Sequence, residues 1–162
     1  MSMSEVATHI CFEDDGTALG VHGPLVIAVI DAQRAFSAAA ARRAVDEIAR
    51  MRRTTHKREL VYTYVMGADA EVPGPEARQV LSELPDHMDA AIGVHEGSGF
   101  RASVVRAVVT GIAMAARGRL HPEIVATIPD AAARIHARLP NLTEEEIVRA
   151  IERVRAVALD GL

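Results

Sequence analysis

Leu25-Val26-Ile27-Ala28-Val29-Ile30 is an unbroken apolar run of strand length, rich in β-branched side chains. A strand with one wet face alternates apolar and polar residues. A run that is apolar at every position suits a strand covered on both faces, as in a parallel sheet flanked by helices. Working outward, Leu60 to Met66 (LVYTYVM), Ala90 to His95 (AAIGVH) and Glu123 to Ile128 (EIVATI) read as further core strands. The segments between them have helical character. From Gln33 to about Thr54, Ala41, Val45, Ile48 and Met51 share one face while the charged residues fall largely elsewhere. Asp31, at the end of the preceding strand, is placed to cap this helix. Glu76 to Met88 places Ala77, Val80, Leu81 and Leu84 inward, with Pro85 weakening its end. A long helix is expected from Phe100 to about Arg117. A short one from Asp130 to Leu139 follows Pro129, a residue that favours a first helical turn.

The flanks differ from this repeating unit. His9 to Glu13 is β-like, and Asp14-Asp15-Gly16 and Gly20 through Pro24 carry turn chemistry, so the N-terminus reads as a hairpin edge. After the break at Pro140-Asn141, Thr143-Glu144-Glu145-Glu146 has the form of a capping box, and the helix behind it runs to about Ala158. The pattern predicts an α/β single-domain sandwich. Its sheet has about four or five strands, mostly parallel with an antiparallel N-terminal edge, and helices lie on its faces. Residues 8–139 form this domain. Residues 140–162 form a C-terminal helical extension packed on the domain or on a partner.

Composition removes several classes of function. A net charge of -4 with interspersed signs offers no footprint for nucleic acid, and 3% aromatic residues with no Trp leave few stacking platforms. The single cysteine, Cys11, permits no disulfide within the chain and fits a reducing cytoplasm. No signal peptide and no integral membrane segment are evident; Val104 to Ala116, the longest apolar stretch, is interrupted and short. None of the seven histidines stands at metal-ligand spacing with another on a helix, so no metal and no cofactor are expected.

One candidate site lies at the turn His95-Glu96-Gly97-Ser98-Gly99-Phe100-Arg101-Ala102-Ser103. It joins the carboxyl end of a strand to the amino end of a helix, where ligands of open α/β sheets bind. His95, Glu96, Ser98, Gly99, Arg101 and Ser103 are its candidate ligand-binding or phosphoregulatory residues, with Arg101 as a cationic clamp for a carboxylate or phosphate. The simpler reading is a glycine turn with Ser98 capping the helix. Catalysis is disfavoured, because Gly97-Ser98-Gly99 is not a nucleophile elbow and His95 is not set as a base for Ser98. The loop Gly67 to Pro75, with Asp69 and Glu71 and followed by Glu76, lies on the same sheet edge and is a candidate pocket wall.

A second candidate is the helix from Phe100, which has little polar face. It is expected either to be buried between the sheet and the C-terminal helix or to form a subunit or partner interface. Val105, Val109 and Ile112, with Ile147, Ile151 and Val154 of the C-terminal helix, are the interface candidates.

The element order, together with LVIAVID before a long helix, EGSGFRASVVRAVV and EIVATIPDAAARIHARL, resembles the STAS-like superfamily. That superfamily includes anti-sigma-factor antagonists and CRAL-TRIO-like bacterial proteins. The resemblance spans Thr8 to Leu139 and rests on topology. It departs at one point: the Ser-Gly turn lies one strand–helix unit later than the phosphorylated turn of the antagonists. The resemblance implies a non-catalytic regulatory or protein-interaction module with a protein partner or a second copy of itself as a homodimer. Its alternative implication is a protein that binds a small apolar ligand or lipid; a third reading, from the turn itself, is an enzyme centred on Ser98 and Arg101.

Overall fold

A computed structural model describes residues 6–14, 16–30, 37–55, 59–115 and 122–160, with the side chains of Arg101, Ala113 and Ala115 outside that description. A six-stranded sheet runs in the order β1-β2-β3-β4-β5-β6. β1 (His9–Asp14), β2 (Thr17–His22) and β3 (Leu25–Ile30) form an antiparallel meander. β3, β4 (Val61–Met66), β5 (Ala90–His95) and β6 (Glu123–Val125) are parallel. The α/β architecture with an antiparallel N-terminal edge therefore stands, with more strands than expected.

The additional strand is β2, and Gly20 explains why it is hidden in the sequence. Gly20 is a strand residue, paired with Ile27. A Cβ there would lie 2.6 Å from Val154 Cγ2, so the glycine lets a helix approach the sheet closely and makes no turn. The turn itself needs only Gly23, at φ +57°, and Pro24. Glycine at the first central position is what a two-residue hairpin turn of this kind requires.

Three crossover helices cover one face: α1 (Ala38–Thr55), α2 (Pro75–Leu81) and α3 (Phe100–Ala115). Strand side chains Val26, Ala28, Ile30, Tyr62, Tyr64, Met66 and Ala91 meet them. The alternate set, Leu25, Ile27, Val29, Val61, Val65, Ile92 and Val94, meets α4 (Ile128–Arg138) and α5 (Glu144–Asp160) on the other face. This is why LVIAVI carries no polar residue: all six of its side chains are buried, three on each side.

The helix boundaries have local causes. Ser37 Oγ accepts the Ala40 N–H at 3.0 Å and caps α1, which begins at Ala38; Gln33, the expected start, lies outside the described residues. Asp31, the expected cap, lies outside the described residues. α2 ends at Leu81, and a 3-10 turn, Leu84–Asp86, takes over where Pro85 cannot continue an α-helix. Thr127 Oγ accepts the Asp130 N–H and caps α4, with Pro129 in its first turn, so β6 stops at Val125 and Ile128 is already helical. The capping box forms as expected. The Glu146 N–H donates to Thr143 Oγ at 3.1 Å, and the Thr143 N–H donates to the Glu146 carboxylate at 2.7 Å.

The largest correction concerns α5. Ile147, Ile151 and Val154 are fully buried against this chain's own sheet and α4, so the structure gives them no surface to offer a partner. Nor does α5 cover α3, since the two helices lie on opposite faces of the sheet. Residues 140–160 are thus one layer of the domain.

Ile151→Ala is expected to destabilise the protein by about 2–5 kcal/mol. Urea unfolding at several protein concentrations checks this. A loss that is small, or that depends on concentration, would contradict the placement of α5 in the monomer core.

Candidate functional site

The His95–Ser103 turn is largely explained by local packing. His95 is the last residue of β5 and is 4% exposed. Gly97 makes room for it, because a Cβ there would lie 2.7 Å from His95 Cε1. Glu96 is held by Arg155 of α5, whose guanidinium donates to both carboxylate oxygens at 2.5 and 3.1 Å. Arg155 is a residue the sequence reading did not associate with this turn. Ser98 is exposed, and Gly99 has φ +69°, in the left-handed region that favours glycine. The Ser103 N–H donates to the Gly99 carbonyl at 3.2 Å, opening α3, and its hydroxyl donates to the same oxygen at 3.4 Å. The side chain of Arg101, the expected clamp, lies outside the described residues. The turn therefore separates its candidates: His95 is buried, Glu96 is paired, and Ser98 faces solvent. Among the described residues, no group of three or more His, Cys, Asp or Glu side chains is placed to hold a metal ion.

The loop beside this turn does contribute a pocket wall, through apolar residues. Asp69, Glu71 and Glu76 are exposed, while Val72 and Pro73 line a cavity between the sheet and the α2/α3 layer. The cavity holds about 90 Å³. Its floor is Ile30, Tyr62, Tyr64, Met66 and Ala91. Its sides come from Leu81, Leu84, Pro85 and Met88, and α3 roofs it with Val105, Val108, Val109 and Ile112. No charged side chain is among the lining residues.

The roof is unlike the other helices. Of its described side chains only Val105 is buried; Val108, Val109 and Ile112 are half-buried over the cavity. Phe100 is 84% exposed and Met114 72% exposed. Burial of α3 on several sides is thus overturned. Its apolar surface is divided between the cavity beneath and solvent above. The interface candidates of α3 (Val105, Val109 and Ile112) belong to the cavity side.

Two hydroxyl-bearing residues line the cavity, Tyr62 and Tyr64 of β4, which project from the same face with ring centroids 5.8 Å apart. Burial pushes both phenols well above their ordinary range, so both stay protonated at neutral pH. The Tyr64 ring lies over Gly93, its register partner on β5, and a Cβ at Gly93 would sit 2.2 Å from Tyr64 Cζ. Tyr64 Oη is buried and has no hydrogen-bond partner among the described residues. In sequence these two residues read only as strand formers. The available signal was two hydroxyl-bearing side chains at i and i+2 in an otherwise aliphatic strand, on a face that helices must cover.

Compared with known proteins, the chain matches no family model, no curated protein and no solved structure.

Gly93→Ala is expected to destabilise by about 1–3 kcal/mol through overpacking against the Tyr64 ring. In a double-mutant cycle with Tyr64→Ala most of that loss should disappear, since the colliding ring is gone. Additive losses would show that the two residues do not meet.

Proposed function

We propose that the protein binds a small apolar molecule in the cavity between the sheet and the α2/α3 layer. Of the functions its STAS-like resemblance implies, this is the CRAL-TRIO-like one. The observation that carries the reading is the cavity itself: a space of about 90 Å³ with no charged side chain among its lining residues. Close-packed interiors hold few voids larger than a water molecule. A space this large, lined by aliphatic and aromatic side chains, forfeits dispersion contacts that an apolar guest restores. The thinly attached α3 supports the same reading, since a half-buried roof can give way to admit a guest.

A second reading, the protein-interaction module with a protein partner or a homodimer, draws support from Phe100 and Met114 on the outer side of α3. Both readings share one helix, so a guest beneath α3 would alter the surface above it. Signalling through such a surface, and a cytoplasmic setting, belong to this reading. Among the described residues, no helix is long and apolar enough to cross a membrane.

Benzene is a suitable probe of the first reading. Titrated into methyl-labelled protein, it is expected to shift the Val105, Val109 and Ile112 resonances saturably. Ala91→Leu, which fills the floor, should abolish the shifts while keeping the fold. Shifts that are absent, or that persist unchanged in the filled variant, would remove the proposal. For the second reading, light scattering on eluting protein should show a dimer that Phe100→Ser with Met114→Ser dissociates. A monomer at all concentrations argues against self-association.

A further inference from the structure

We infer that His22 is an acid-sensitive latch: neutral, it holds residues 6–8 against α5 and the β2–β3 hairpin, and protonated, it leaves its buried place and releases them. The latch lies on the α4/α5 face and does not involve the cavity under α3, so it stands apart from the ligand-binding reading.

His22 closes β2 and pairs with Leu25 across the Gly23-Pro24 turn. It shares a strand face with Ala18 and Gly20, the face that α5 covers. The residue is 6% exposed. Its Nδ1 lies 3.1 Å from Thr8 Oγ1, and its Nε2 is buried with no hydrogen-bond partner. Val6 reaches the turn itself, its Cγ1 lying 3.6 Å from where a Cβ on Gly23 would sit. The Thr8 contact thus ties the chain that leads into β1 to the end of the hairpin.

A neutral imidazole suits this place. One nitrogen meets the Thr8 hydroxyl, and the other can be left as a bare lone pair. Protonation makes both nitrogens donors. Thr8 Oγ1 can accept from one of them, while the second N–H and the charge stay buried without an acceptor. The surrounding charges do not remove that penalty. From α5, Glu146, Arg149, Glu152 and Arg153 border the same cleft as His22 and Thr8, two anionic and two cationic. Glu146 favours the imidazolium, yet its carboxylate already accepts the Thr143 N–H at 2.7 Å. On β1 the neighbouring His9 is exposed, and on β3 the facing Leu25 is apolar. Burial outweighs the pull of Glu146 and holds His22 below its ordinary value. A charged ring finds water and the α5 carboxylates only by turning into the cleft, which breaks the Thr8 contact. The released segment therefore binds the proton better than the closed one. The latch is fully closed above about pH 6.5 and loosens as pH falls below it.

Backbone 15N relaxation between about pH 8 and 4.5 tests this. In the wild type the amides of Val6, Ala7 and Thr8 should be rigid at the upper end, with order parameters of about 0.85, and fall towards 0.6 or less on acidification. His22→Phe keeps a buried ring that cannot titrate, and there the segment should stay equally ordered throughout. His9→Gln removes the neighbouring exposed histidine and should behave as the wild type does. A segment whose order ignores pH in the wild type, or is lost equally in His22→Phe, would overturn the latch. If His22→Phe does not fold, the wild type alone decides: the His22 imidazole resonances and the Thr8 amide should titrate with one midpoint below 6.5. Separate midpoints, or a shared one at or above that value, would overturn the latch.

Discussion

Consecutive parallel strands in this sheet are neighbours, and each crossover steps in the same direction. Crossovers of one hand that always step the same way deposit their helices on the same face. That constraint commits α1, α2 and α3 to one side and leaves the other side of the sheet bare. Among the described residues, α4 and α5, which follow β6, cover it. The C-terminal helices thus complete the sandwich that the strand order leaves half covered. Without them Leu25, Ile27, Val29 and Val94 would face water.

The two faces are finished to different standards. On the α4/α5 side, Ile135, Ile147, Ile151 and Val154 are fully buried, and Gly20 removes a side chain so that Val154 can reach the sheet. Glu96 and Arg155 tie this layer to the end of β5. The pair is partly exposed, so its effect is to position the turn more than to stabilise it. On the crossover side α1 packs deeply through Ala41, Val45 and Ile48, whereas α2 is short and α3 touches the core chiefly through Val105. The cavity lies under the weaker part of the layer. One well-packed face can supply stability while the other carries a space whose cost the proposed binding role would explain.

Much of this was legible in the sequence, and the exceptions share a physical cause. The runs LVIAVI and AAIGVH announced doubly covered strands, and the Thr143–Glu146 box announced a helix start, because each is a local pattern with a local reason. β2 was missed because Gly20 serves a long-range contact with Val154 and has no local turn to make. The apolar seam of α5 shows that it packs without showing on what, so the sequence leaves both the domain and a partner open. The burial reading of α3 fails for the converse reason: an apolar composition implies burial only when there are enough neighbours to bury it. The Ser98 turn drew attention by its motif, yet Gly97 answers to His95 and Glu96 to Arg155. Tyr62 and Tyr64 drew none, since their importance depends on which face of β4 is covered and by how loosely packed a layer.

The central claim is that the space beneath α3 is a binding site for apolar guests. Diffraction from crystals pressurised with xenon tests it most directly, because xenon enters apolar cavities and needs no hydrogen bond. The account expects a single strong xenon peak enclosed by Tyr64, Met88, Val105 and Val109, with the α4/α5 side unoccupied. No xenon at that position, with side chains closed over it, would contradict the account.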